Sequence, residues 1–339
     1  MNAPAGARRA VQRWPEAAPP PPSCDNPAMP PARPRPTPPY QKLRGHVAAL
    51  ALDGDDTAWL WGDGQRSLER FDLRARRVAD SRATAAPMQK LVCASPGVVV
   101  GTTRGADDVE AVAAVFDASS GAVRATLRPP APQGFVRAVA ASSTHVAVSS
   151  DPGRSPTGTI ELYTLDGAHR RSVDLGRGSF ANTPDGVIFS GDGLALVYVV
   201  DGALVRHELA TGREERAPCE VPRQWGWSPR TTRQGEHLLL QFHAPGHSLP
   251  SFVVRERDGA VIGRIEPAQL TTFGLPGELV WQEQRELRRL SLTGETLATM
   301  TRGTQTRLEA GATTTSGLWI AGGPASIELV DLHRLGAPG

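Results

Sequence analysis

Three histidines, His237, His243 and His247, stand close together in the chain, and neutral imidazole is the commonest metal ligand. A helix would put His243 and His247 on one face, but Pro245 and Gly246 lie between them and break any helix. His237 opens an expected strand, so a zinc site would need a favourable loop and a fixed second shell. The three are read as loop and strand histidines, with no metal and no cofactor. Asp53-Gly54-Asp55-Asp56 has the carboxylates of a calcium loop but lacks the distal bidentate glutamate. Asp and Gly are also what a tight turn uses, and a turn is the reading here. Asp107-Asp108 is read as an exposed acidic loop. No Gly-x-Ser-x-Gly elbow accompanies the serines, histidines and aspartates. Gly191-Asp192-Gly193 precedes a strand rather than a helix, so it is no dinucleotide fingerprint. No catalytic residues are assigned, and the chain is not expected to be an enzyme.

The stretch richest in binding chemistry is Arg223-Gln224-Trp225-Gly226-Trp227-Ser228-Pro229-Arg230, with Arg233 close behind. Trp225 and Trp227 alternate, so they would share one face of an extended segment. Tryptophan and arginine are the residues most enriched at binding hot spots. Arg223, Trp225, Trp227, Arg230 and Arg233 are therefore the candidate partner-binding residues. The second tryptophan pair, Trp59 and Trp61, sits mid-strand and is read as packing.

The elements that must carry these residues are short. Hydrophobic residues make up 40% of the 339, enough for a large core, and aromatics only 5%. No apolar run approaches the ~18 residues of a membrane span. The longest, Leu194 to Val200, is expected to be one buried strand. The net charge of +2 exerts little pull on nucleic acid or anionic lipid. Lysine occurs only at Lys42 and Lys90, and this arginine bias matches a GC-rich bacterial coding sequence. Cys24, Cys93 and Cys219 are few and widely spaced, as free thiols of a reducing compartment would be. The N-terminal Arg8, Arg9 and Arg13 run into prolines without an apolar segment, so a cytoplasmic location is expected.

Residues 1–39 hold a concentration of prolines, including Pro19 to Pro22, and little that could form a core. They are expected to be a disordered tail with local polyproline II character. From Tyr40 on, short β-rich runs alternate with Gly, Asp, Ser and Pro. A two-residue turn recurs as Ser120-Gly121, Asp166-Gly167, Thr211-Gly212, Asp258-Gly259 and Thr293-Gly294. Glycine at the second position supplies the positive φ of a tight hairpin. Successive glycines lie 46, 45, 47 and 35 residues apart, a period that fits four-stranded propeller blades better than any helical repeat. Residues 40–339 thus read as an all-β domain, a seven-bladed β-propeller of four-stranded antiparallel blades. The last unit lacks an outer strand after Leu335, and Tyr40 to Arg44 is expected to supply it and close the ring.

Gly45-His46 leading to Trp59-Leu60-Trp61, then Arg70-Phe71-Asp72-Leu73, resembles a degenerate WD40 repeat. Phe116-Asp117 and Val330-Asp331 fall at the same place in their units, and Asp201-Gly202 followed by His207 keeps the turn spacing. Quinoprotein-like bacterial propellers resemble the chain almost as closely. A propeller offers a rigid disc with loops on two faces, so a monomeric scaffold for protein partners is expected. The near-neutral charge and the lack of a long apolar run speak against nucleic acid and membrane. The alternative is a propeller enzyme or small-molecule binder. Its residues would converge on the central channel from several blades and leave no local motif.

Overall fold

The structure is a computed structural model that describes residues 40–62, 67–84, 88–103, 112–128, 135–151, 157–177, 186–200, 202–221, 229–244 and 247–336. The expected tail, 1–39, and Asp107-Asp108 lie outside the described residues. Seven four-stranded antiparallel sheets follow one another around a ring. The first strand, β1 (Tyr40–Arg44), belongs to the last blade. Blade 1 comprises β2 (Ala49–Asp53), β3 (Thr57–Trp61), β4 (Ser67–Asp72) and β5 (Arg77–Ala83). Blade 2 comprises β6 (Met88–Ser95), β7 (Val98–Thr103), β8 (Val112–Asp117) and β9 (Val123–Leu127). Blade 3 comprises β10 (Phe135–Ala141), β11 (His145–Asp151), β12 (Thr157–Thr164) and β13 (His169–Arg177). Blade 4 comprises β14 (Ile188–Phe189), β15 (Ala195–Val200), β16 (Ala203–Glu208) and β17 (Glu214–Pro218). Blade 5 comprises β18 (Pro229–Gln234), β19 (His237–Ala244), β20 (His247–Arg255) and β21 (Val261–Ile265). Blade 6 comprises β22 (Leu270–Phe273), β23 (Glu278–Glu283), β24 (Glu286–Ser291) and β25 (Thr296–Thr301). Blade 7 comprises β26 (Ala310–Thr313), β27 (Leu318–Gly323), β28 (Ser326–Asp331) and, on its outer edge, β1.

The closing strand pairs in continuous antiparallel register, from Tyr40 opposite Val330 to Arg44 opposite Ser326. The first and last described strands thus meet in one sheet, which gives the last blade its fourth strand, as the sequence leads one to expect.

The core is not one lump but layers between neighbouring blades. Trp59, Trp61 and Leu68 of blade 1 pack on Leu91, Val99 and Phe116 of blade 2. Leu270, Val280 and Leu287 of blade 6 pack on Trp319 and Val330 of blade 7. The ring closes through Ile320, Ile327 and Leu329 against Leu50, Leu60 and Phe71. Middle strands are therefore covered on both faces, and β3, β15, β27 and β28 are buried almost continuously rather than in alternation. The outer strands β5, β17 and β25 are largely exposed.

All five turn glycines connect the third and fourth strands of their blades, and all have positive φ. At Gly259 (φ 72°) a second constraint applies, because an added Cβ would stand 2.5 Å from the Pro218 carbonyl oxygen of blade 4. The turn thus both bends the chain and seats against the neighbouring outer strand. Asp72, Asp117 and Asp331 end the third strands of their blades. Each carboxylate accepts a backbone N–H from the turn that follows: Ala75, Ser119 and His333 respectively.

The apolar run at Leu194 departs from expectation. Only Ala195–Val200 is strand, and Leu194 is 63% exposed. The Ser190 side chain binds both the N–H and the carbonyl of Ala195, which closes a turn that leaves Leu194 outside.

Candidate functional site

Antiparallel order sends successive connections to opposite faces of the ring. One face carries the turns between first and second strands and between third and fourth strands. No connection there is longer than 118–122, 190–194, 209–213 or 256–260. At the opposite face lie the strand ends joined by every longer connection: 104–111, 128–134, 178–187, 219–228 and 302–309. Variable loops on a rigid frame are where binding residues concentrate.

The centre of the ring is walled by the first strand of each blade. Between β18, β22 and β26 lies a cavity of about 370 Å³. Its wall includes Arg230, Thr232, Gln241, Thr272, Phe273 and Thr313. The strands around it are tied by side chains. Gln241 Nε2 donates to the Thr271 carbonyl at 2.6 Å, and Thr313 Oγ1 donates to the Phe273 carbonyl at 2.7 Å. Trp319 Nε1 donates to Thr272 Oγ1 at 3.0 Å. Gln234 bridges blades 5 and 6 by donating to the Gly274 carbonyl and accepting from the Gly277 N–H. The described wall contains arginine, glutamine and threonine but no His, Asp or Glu.

Of the residues singled out in the sequence, Arg223, Trp225 and Trp227 lie outside the described residues, in the connection that joins β17 to β18. Arg230 and Arg233 are three apart in a regular strand and so point to opposite sides of the sheet. Arg230 shares its side with Gln241, which reaches blade 6. It is exposed to the cavity, yet protein surrounds it, and the loss of solvation lowers its pKa. It has no hydrogen-bond or ion-pair partner among the described residues. Arg233 Nη1 lies 3.5 Å from Glu256 Oε2 of its own blade and faces the turn of blade 4 that holds Gly191. An added Cβ at Gly191 would stand 2.6 Å from the same nitrogen. Arg230 and Arg233 both border the cavity, but only Arg233 has a carboxylate partner among the described residues.

The histidines separate likewise. Backbone pairing sets His243 and His247 at one end of the β19–β20 hairpin and His237 at the other, paired with Gln234 and Arg255. Six residues of strand span about 20 Å. The aspartates of 53–56 hold the ring together. Asp53 Oδ2 accepts from Trp59 Nε1 and the Gly97 N–H, both at 3.0 Å, Asp55 accepts from the Thr315 N–H at 2.7 Å, and Asp56 pairs with Arg74. One turn thus joins blades 7, 1 and 2. Trp59 and Trp61 are buried packing residues, as expected.

Three polar clusters escaped the sequence reading. On blade 3, His169 Nε2 and Ser172 Oγ both meet the buried Glu161 Oε2, at 2.7 and 2.6 Å, and lie 3.5 Å from each other. Serine donates to the carboxylate rather than to the imidazole, so the three do not form a nucleophile–base–acid relay. Glu161 and Ser172 are direct cross-strand partners, a pairing that the Asp166-Gly167 turn predicts once the register is counted. On blade 4, buried His207 lies between Arg171 of blade 3 and Glu214, which also accepts from Tyr198 Oη at 3.3 Å. Between blades 6 and 7, fully buried Arg302 grips Glu328 in a two-pronged pair, Nε to Oε2 at 2.7 Å and Nη2 to Oε1 at 2.6 Å. Two further donors reach the Gln284 and Thr306 carbonyls, so four of its five N–H groups are bonded in the buried site. These clusters sit between strands and blades, where they fix register.

Neither a protein-family model nor a curated protein matches the sequence. Among solved structures, the chain is similar to a streptogramin B lyase, with a TM-score of 0.65 and 13% identity over 86% of this chain and 98% of that one. It is also similar to BamB from Moraxella catarrhalis, with a TM-score of 0.54 and 12% identity over 86% of this chain and 85% of that one. At such identity the likeness is one of fold, the seven-bladed propeller.

Proposed function

We propose that the protein is a non-catalytic scaffold that holds a protein partner on the face of the long connections. On this reading it acts in the cytoplasm as a degenerate WD40-like or quinoprotein-like propeller. The supporting observation is the asymmetry of the ring: tight turns on one face, and the strand ends joined by every long connection on the other. Rigid blades hold the ends of those connections in place, so a partner meets a surface whose frame is already ordered. Arg223, Trp225 and Trp227 belong to the connection 219–228 on that face, and we assign them the partner contact. Tryptophan offers large apolar area and arginine a planar fork of donors.

The test is a binding titration with a partner first captured by the intact chain and then purified. Trp225→Ala and Trp227→Ala should each weaken binding by about 30-fold, the size of a ~2 kcal/mol hot spot. The melting temperature should stay within about 2 °C of the parent. A melting temperature lower by many degrees, with binding lost only in proportion to unfolding, would make these tryptophans packing residues instead.

A further inference from the structure

Many arginines of this structure are answered by acids. Arg74, Arg124, Arg206, Arg233, Arg255, Arg288, Arg289 and Arg302 each have a carboxylate within 4.0 Å. Arg230 lines the cavity between blades 5, 6 and 7 and has no such answer among the described residues. Arginine stays protonated under these conditions, because its intrinsic pKa is so high. A cation held in a confined, partly desolvated space gains most from an anion placed against it.

The surroundings suit an anion. The wall includes a second arginine, Arg233, but that charge is balanced by Glu256. No described wall residue carries a negative charge. Thr272 Oγ1 already accepts from the Trp319 indole, which leaves its own proton to be donated. The Thr313 hydroxyl proton is committed to the Phe273 carbonyl, and Gln241 Nε2 to the Thr271 carbonyl. The free donors of the wall therefore include the guanidinium of Arg230 and the hydroxyls of Thr232 and Thr272. The cavity volume, about 370 Å³, lies at the small end of the range for small-molecule sites.

We propose that this cavity binds a small molecule bearing an oxyanion, a carboxylate or phosphate, with Arg230 as its cationic anchor. Planar guanidinium meets either group through two parallel N–H donors. The site draws on blades 5, 6 and 7. It does not depend on the partner face: the tryptophan variants test one claim and Arg230 the other.

The experiment is thermal unfolding of the whole chain against rising inorganic phosphate or succinate, at ionic strength held constant with sodium chloride. For the parent protein, at least one probe should raise the melting temperature along a saturating curve, as binding to the folded state requires. Which probe acts decides between phosphate and carboxylate. Arg230→Gln should abolish the rise, and Arg230→Lys, which keeps the charge but loses the fork, should need about tenfold more probe. Arg264→Gln, at an exposed arginine of β21, should behave as the parent. Because Arg230 bonds to no described residue, both Arg230 variants should fold, and their unshifted starting melting temperature verifies this. A flat response of the parent to both probes, or a rise that survives in Arg230→Gln, would overturn the proposal.

Discussion

Tyr40, Tyr163 and Tyr198 are the three tyrosines of the chain, and burial pushes all of them above the usual phenol range. Tyr40 and Tyr163 are each raised to about 12, with Glu328 and Glu161 respectively adding to the effect of burial. Tyr198 is raised further by burial and Glu214. Tyr163 Oη donates to the Arg128 carbonyl at 2.6 Å, a bond that the phenolate could not make. The folded pKa lies above the unfolded one, so the neutral phenol stabilises the fold. That contribution is complete below pH ~10 and is lost as pH rises toward 12, since the unfolded chain ionises first. Absorbance of tyrosinate across an alkaline titration should therefore stay low past pH 10, then rise together with the loss of β-sheet circular dichroism. A gradual ionisation centred near pH 10, with the fold intact, would show the tyrosines to be open to water.

At the scale of elements, β1 is the strand on which the ring depends. Tyr40 and Leu43 pack against the layers formed by blade 7 with blades 6 and 1, and five residues pair with β28. Burying two such side chains contributes on the order of 3–6 kcal/mol. For a domain of this size, loss of β1 should lower the melting temperature by about 10 °C or more. Removal of residues 1–38 should leave the melting temperature of the parent, while removal of residues 1–45 should produce that drop. Equal melting of the two truncations would contradict closure by β1. This strand was legible in the sequence because blade 7 lacks an outer-strand run after Leu335, while Tyr40 to Arg44 precedes the first blade with β-compatible residues. The five hairpin glycines were legible because their backbone requirement is local. The equivalent turn of blade 1 was not, since Arg76 takes the positive φ there, at 54°. The cavity could not be read at all. Arg230, Thr272 and Thr313 are about forty residues apart in sequence and meet only because consecutive blades place equivalent strands side by side. The pairing of Arg302 with Glu328 is hidden for the same reason.

At the scale of the whole molecule, seven interblade layers make the ring rigid, and the two faces differ in what they offer. Each blade supports its neighbours on both sides, so a partner that binds one face has a preformed frame to dock on rather than one that must order itself. The turns of the opposite face are closed by their own Asp, Ser and Thr side chains and present short, self-satisfied loops. On the proposed function, a partner binds the face of the long connections. Amide hydrogen exchange of the intact chain, with and without its purified partner, reads this directly. Protection should fall on peptides that contain the long connections, 128–134, 178–187 and 219–228, and on the strand ends that border them. The turns 118–122, 165–168, 209–213 and 256–260 should exchange as in the free protein. Protection confined to those turns, or to the outer strands β5, β17 and β25, would contradict the account.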